Sequence, residues 1–122
     1  KLPPVLENVQ LHKGWFEDSI PVFLAENKED IAFMHLDPDL YSSHKTVFDQ
    51  TASRIKPGTI ILFDDYFDFV NWQDHGFKAF QEFVEQNKVK YEYLAFRGAR
   101  EIGSENGGAC VRILELSLAA KK

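Results

Sequence analysis

The chain has 122 residues and a net charge of −5, and 44% of its residues are hydrophobic, including 11 phenylalanines. This length fits a single domain, and the apolar residues are sufficient for a core. There is no basic block, so neither nucleic acid nor an anionic membrane is an expected partner. The single cysteine, Cys110, excludes an internal disulfide and favours a reducing compartment, so we expect a cytoplasmic protein.

The first third of the chain predicts a strand, a helix and a second strand. Residues 9–12 alternate apolar and polar side chains, which is typical of a short strand. Asp18 or Ser19 is expected to cap the following helix, with Pro21 in its first turn. Ile31–Leu36 is a short apolar run bounded by polar residues, which predicts a buried strand.

The middle of the chain repeats this design. Ser42 or Ser43 is expected to cap a second helix, which the Lys-Pro-Gly sequence at residues 56–58 ends. Residues 59–63 then predict another buried strand. The aromatic residues that follow lack a period and indicate a loop, which we interpret as a substrate lid, a partner surface or core: Tyr66, Phe67, Phe69 and Trp72.

The last third predicts one helix and two strands. Residues 76–87 carry phenylalanines at helical spacing, which indicates an amphipathic helix with an apolar core face. Residues 91–96 and 109–116 read as strands, and we expect them to be antiparallel because no helix joins them. The glycine-containing segment 97–108 between them is expected to be a turn or flexible loop. Cys110 lies inside the last strand and has no histidine nearby in sequence, so a nucleophilic role is not expected.

Acidic side chains follow both apolar strands of the first half. Asp37 and Asp39 end the first strand, and Asp64 and Asp65 end the second. A strand, helix and strand in succession form a parallel crossover, so these carboxylates are expected at the same sheet edge, where α/β proteins bind ligands. Carboxylates are ligands that Mg²⁺ prefers, and we predict that Asp37, Asp64 and Asp65 hold a cation.

The same residue types allow plainer readings. Acidic residues after strands also cap helices, and Asp39 is a further metal ligand, a general base or such a cap. His35 lies in an apolar strand and is interpreted as a core histidine. His44 and His75 lie at predicted helix starts, from which they could reach the acidic edge. A catalytic role for either histidine is the less favoured alternative.

Four segments in this order resemble the macrocin O-methyltransferase family. They are Lys-Gly-Trp-Phe-Glu-Asp-Ser-Ile-Pro at 13–21, His-Leu-Asp-Pro-Asp-Leu-Tyr-Ser-Ser at 35–43, Lys-Pro-Gly at 56–58 and Phe-Asp-Asp-Tyr at 63–66. The resemblance implies a Rossmann-like class I methyltransferase that uses S-adenosylmethionine and Mg²⁺ to methylate sugar or polyol hydroxyls. It implies an α/β fold with a mostly parallel sheet and an antiparallel C-terminal strand.

The resemblance covers the C-terminal part of such a fold, strands three to seven, so we expect a single domain that lacks the first two strands. It implies Asp37, Asp64 and Asp65 as metal ligands. We predict Asp37 and Asp39 as the catalytic residues. The resemblance also implies that Gly14, Trp15 and Phe16 contact the cofactor's adenine, although a core turn with Trp15 packed inside is equally compatible. Because strand edges that lack a neighbour favour pairing with another chain, we expect a homo-oligomer.

Two rival functions remain open from the sequence. Phosphatases of the haloacid dehalogenase type and metal-dependent glycosyltransferases also place Asp-x-Asp at a strand end. The phosphatases need Thr or Val after the second Asp, whereas Leu40 and Tyr41 follow Asp39 here. The second rival is a non-catalytic relic that serves assembly or metal binding.

Overall fold

The computed structural model describes residues 2–98 and 106–119, which contain three α-helices and four strands. None of the described helices is both long and apolar enough to cross a membrane. In chain order the elements are α1 (Phe16–Glu26), β1 (Ile31–Leu36), α2 (Tyr41–Thr51), β2 (Ile55–Phe67), α3 (Gly76–Gln86), β3 (Lys90–Arg97) and β4 (Gly107–Glu115), with short 3₁₀ turns at Ala52–Arg54 and Trp72–Asp74.

The four strands form one sheet in the order β1-β2-β4-β3. β1 pairs with β2 in parallel, and β4 is antiparallel to both β2 and β3. The expectation of a mostly parallel sheet was therefore wrong, since one of the three pairings is parallel. The physical reason is the position of β4. The other three strands run in one direction, and β4 enters between β2 and β3 in the opposite direction.

An aromatic cluster joins the sheet to α2 and α3. Phe63 of β2 is fully buried, and its ring centroid lies 5.2 Å from that of Phe80 in α3. Phe48 of α2 stacks on Phe83 of α3 at 5.0 Å. Burying one such side chain contributes roughly 1.5–3 kcal/mol, so this cluster stabilises the packing of α2 and α3 on the sheet. The predicted apolar face of α3 is confirmed as core.

The start of the chain differs from the prediction. Residues 9–12 form no strand, and their apolar side chains Val9 and Leu11 are exposed. An alternating segment becomes a strand only when a neighbouring strand satisfies its backbone groups, and among the described residues β1 pairs with β2 alone. The alternation was therefore insufficient evidence for a strand.

The first two helices also begin earlier than predicted. Trp15 is the N-cap of α1, and its carbonyl accepts bonds from the N–H groups of Asp18 and Ser19. Asp18 and Ser19 thus lie within the helix, and Pro21 lies in its interior rather than its first turn. α2 begins at Tyr41, one residue before the expected cap, because the carbonyl of Leu40 accepts its first bond.

His44 in α2 is packed against the first residue of α3. Its side chain is 2% exposed, and its Nδ1–H donates to the carbonyl of Leu40 at 3.1 Å. Burial lowers the pKa of His44, so the ring stays neutral at neutral pH. A Cβ on Gly76 would lie 2.8 Å from its Nε2, closer than packing allows. The absence of a side chain at Gly76 is what lets the two helices meet here.

We predict that Gly76→Ala lowers the free energy of unfolding by about 1–3 kcal/mol, because the new methyl group overpacks the His44 ring. In a His44→Ala background this cost should vanish or reverse, since alanine favours helix over glycine by up to about 1 kcal/mol. Denaturant unfolding of the double-mutant cycle measures the coupling. The exposed Glu85→Ala serves as control, with an expected change within about 0.5 kcal/mol. Equal costs of Gly76→Ala in both backgrounds would contradict the contact.

Candidate active site

Three carboxylates converge where β1 ends beside β2. Leu36 lies opposite Phe63 in the parallel register, so Asp37 and Asp64 are the next residues on neighbouring strands. Ligand oxygens of Asp37, Asp64 and Asp65 lie within 4.8 Å of one another. The predicted convergence at one sheet edge is thus present, although β2 continues through both aspartates to Phe67. The pairing of β2 with β4 shifts register between Phe63 and Phe67, and the two aspartates lie in that irregular segment.

The three carboxylates repel one another. The pKa of Asp37 is raised, first because it shares a hydrogen bond with Asp64, and further by desolvation and by the charges of Asp64 and Asp65. His35 acts in the opposite direction. Three oxygen donors without nitrogen or sulfur, held close and partly open to solvent, form a donor set that suits a hard divalent cation such as Mg²⁺.

Two polar residues flank the carboxylates: Arg97 at the end of β3 and Asn106 just before β4. Asn106 donates to Asp65 Oδ1 at 2.9 Å. Arg97 Nη2 lies 3.2 Å from the backbone oxygen of Asp64 and 3.5 Å from its Oδ1. Our interpretation of residues 97–108 as a turn or flexible loop did not identify Arg97 or Asn106 as part of the site. Residues 99–105 of that segment lie outside the described ranges. The sequence signal was the Gly107-Gly108 pair, since consecutive glycines at a strand start indicate a close approach.

A cleft of about 580 Å³ lies beside the acidic edge, between the turn before α1 and the start of α2. Gly14, Trp15 and Phe16 line one side, and Asp39 lies on the other. Trp15 is 75% exposed, so the alternative that it packs inside a core turn was wrong. Asp39 faces this cleft and is not a member of the three-carboxylate group.

The histidines fall into different environments. The interpretation of His35 as a core residue was wrong, because its side chain is 46% exposed and its Nε2 lies 3.7 Å from Asp64 Oδ1. β1 exposes the sheet face on which His35 lies, and α2 and α3 cover the opposite face. His44 is buried in the core, as described above. His75 is the N-cap of α3, and its buried Nδ1 has no hydrogen-bond partner among the described residues.

The aromatic residues at the end of β2 and just after it pack against rings from other parts of the chain. Tyr66 is 4% exposed, and its hydroxyl is 2.8 Å from that of Tyr93. Trp72 packs edge-on against Phe77 with ring centroids 5.0 Å apart. Of the three readings offered by the sequence, core packing therefore applies to Tyr66, and its burial raises its pKa.

Comparison with known proteins identifies the family. A family model described as macrocin-O-methyltransferase (TylF) matches residues 5–95, which is most of the chain. The chain belongs to this family. The resemblance drawn from its four segments is thereby confirmed. No curated protein matches the chain.

Two solved structures of CalS11 are similar to the chain. One is described as apo CalS11, a TDP-rhamnose 3'-O-methyltransferase in calicheamicin biosynthesis, and the other as CalS11, calicheamicin methyltransferase. Both share 25% identity with the chain at a TM-score of 0.59, and both matches cover 82% of it. The chain spans only 39% and 35% of the length of those two proteins.

We predict that Asp37→Asn raises the melting temperature at pH 7 when no divalent cation is present. The raised pKa of Asp37 means that the folded state binds its proton more tightly than the unfolded chain, so its ionisation at pH 7 destabilises the fold. The gain should shrink as the pH falls through the pKa of Asp37, because the wild-type carboxyl then becomes neutral. Thermal unfolding between pH 7 and pH 4 measures both effects.

Asp30→Asn is the matched control for this series, because Asp30 is an exposed carboxylate just before the other end of β1. Its melting temperature at pH 7 should stay close to that of wild type. A loss of stability in Asp37→Asn at pH 7 would show that the three carboxylates do not repel one another.

Proposed function

We propose that the chain belongs to an S-adenosylmethionine-dependent, Mg²⁺-assisted O-methyltransferase that acts on a sugar or polyol hydroxyl of a small molecule. The observation that carries this proposal is the convergence of Asp37, Asp64 and Asp65 beside the cleft that contains Asp39 and Trp15. Membership of the macrocin-O-methyltransferase family and the sugar substrate named for CalS11 support it.

The positions of these residues support the following roles. Asp37, Asp64 and Asp65 hold the cation through carboxylate oxygens, and Gly14, Trp15 and Phe16 bind the adenine of the methyl donor against an exposed aromatic face. When bound, Mg²⁺ supplies a positive charge that lowers the pKa of the acceptor hydroxyl, and S-adenosylmethionine supplies the methyl group. A carboxylate oxygen of Asp39 would accept the proton of the acceptor hydroxyl while the hydroxyl oxygen bonds to the methyl carbon and the bond from that carbon to the donor's sulfur breaks.

We further propose that the chain is a single domain corresponding to the C-terminal portion of a methyltransferase fold. Its coverage of 39% and 35% of the CalS11 chains supports this assignment. β1 has a neighbour on one side only among the described residues, and an open strand edge favours pairing with another chain. A homo-oligomer in the cytoplasm, with a sugar or polyol as its small-molecule partner, completes the proposal. Light scattering that gives a monomer would contradict the oligomer.

We predict that Mg²⁺ binding is lost in Asp64→Ala and retained in Asp39→Asn, because Asp39 lies outside the three-carboxylate group. Where methyl transfer to TDP-rhamnose is detectable, Asp39→Asn should lower kcat by about 10²–10⁴-fold, the usual contribution of a general base. Calorimetric titration with Mg²⁺ and a radiolabelled methyl-transfer assay measure these effects. Glu85→Ala, on the exposed side of α3, is the control for both.

The methyl donor is tested separately from the cation. Titration with S-adenosylmethionine and with its demethylated product, each with and without Mg²⁺, should show binding that Trp15→Ala weakens. If the chain binds Mg²⁺ but neither S-adenosylmethionine nor its demethylated product, the non-catalytic alternative is favoured. Failure of wild type to bind Mg²⁺ would remove the metal-assisted mechanism. Hydrolysis of a phosphate ester, or transfer of a glycosyl group, would instead favour the other Asp-x-Asp enzymes.

A further inference from the structure

Arg97 reaches the acidic edge from β3, on the far side of β4. It is the last residue of β3 and lies opposite Gly108 in the register of β3 with β4. β4 in turn separates β3 from β2, which carries Asp64. The guanidinium of Arg97 thus extends across the start of β4 to contact Asp64, a residue 33 positions earlier in the chain.

The glycine pair at the start of β4 makes this approach possible. A Cβ on Gly108 would lie 2.9 Å from Arg97 Nη1 and 2.9 Å from the backbone oxygen of Phe63. A Cβ on Gly107 would lie 2.9 Å from the backbone oxygen of Arg97. Any side chain at these positions would push the guanidinium away or open the sheet, so the two glycines leave the path from Arg97 to Asp64 clear.

Arg97 makes one hydrogen bond and one longer ionic contact with Asp64. Its Nη2 donates to the backbone oxygen of Asp64 at 3.2 Å and lies 3.5 Å from the carboxylate Oδ1, which is longer than a charge-assisted hydrogen bond of about 2.7–2.9 Å. Its Nε is buried and has no partner within the described part of the chain. Because the Nε–H donor of Arg97 is unused, we infer that the negative charge of the three carboxylates contributes to holding its guanidinium in place.

Arg97 is also the one permanently charged cation that the structure gives the cluster. Within residues 2–98 and 106–119, the groups paired with these carboxylates as ions are Arg97 and His35, both on Asp64. His35 is charged only when protonated, whereas an arginine keeps its charge at every accessible pH. Among the described residues, the three carboxylates therefore face one fixed positive charge, fewer than their own number.

We propose that Arg97 is the internal counter-ion of this site: it neutralises Asp64 when no divalent cation is bound, and so lowers the affinity of the three carboxylates for that cation. This inference rests on the proposed function, because it assumes that Asp37, Asp64 and Asp65 bind the metal. Arg97 acts through Asp64 and is a positioning residue. Its role sets how much free Mg²⁺ the site requires.

The test is calorimetric titration of Mg²⁺, and of Mn²⁺ as a second probe, into wild type, Arg97→Met, Arg97→Gln, Arg97→Lys and Asp64→Ala. We predict that Arg97→Met binds Mg²⁺ about tenfold more tightly, the effect in a water-like dielectric of removing a unit charge several ångströms from a divalent ion. Arg97→Lys keeps the charge and should bind within about twofold of wild type. Loss of packing alone cannot produce tighter binding.

A second readout uses thermal unfolding. Without divalent cations, Arg97→Met should melt below wild type because the carboxylates then lack their counter-ion. Saturating Mg²⁺ should restore more stability to Arg97→Met than to wild type, since ligand stabilisation grows with affinity. Arg97→Gln repeats both measurements with a neutral polar side chain, which keeps the test valid if the methionine variant does not fold.

The outcomes separate the two proposals. Wild-type binding that Asp64→Ala abolishes, with affinity unchanged or weakened in Arg97→Met and Arg97→Gln, would overturn the counter-ion role and leave the metal site standing. Absence of binding in wild type and in both neutral Arg97 variants would overturn the metal site itself. Tighter binding in the neutral variants, with Arg97→Lys near wild type, supports both.

Discussion

The parallel pairing of β1 with β2 is the constraint on which the rest of the site depends. Because Leu36 lies opposite Phe63, Asp37 and Asp64 leave the buried part of the sheet side by side. The buried residues fix this register, since a shift by one residue would turn Phe63 out of the aromatic core. The energy of apolar burial thus holds together carboxylates that would otherwise move apart, which is how a stable core maintains an electrostatically unfavourable site.

The antiparallel strand β4 gives the site its second set of residues. By entering between β2 and β3, it brings the ends of the β3–β4 connection to the acidic edge, with Asn106 on Asp65 and Arg97 on Asp64. A parallel neighbour would have required a crossover of a dozen or more residues and would have carried its connection to the other end of the sheet. The mixed sheet is therefore what lets positive and neutral polar groups approach the three carboxylates.

The parts of the fold that local patterns determine could be predicted from the sequence. Ile31–Leu36 and the apolar stripe of α3 are such parts, and the convergence of Asp37 with Asp64 followed from the parallel crossover. What depended on long-range pairing could not be predicted. The position of β4 decides the sheet type, and the lack of a neighbouring strand leaves residues 9–12 irregular. Arg97 gave no signal of its own, because its contact depends on glycines in a different strand.

The strand order also determines how the site assembles. Among the described residues β3 is held in the sheet through β4 alone, so β3 has no ladder partner until β4, the next strand along the chain, has been made. During synthesis the parallel pair and its three aspartates emerge first, and Arg97 reaches them only after Gly107–Glu115 has docked. Folding in chain order would therefore bring the three carboxylates together before Arg97 reaches them.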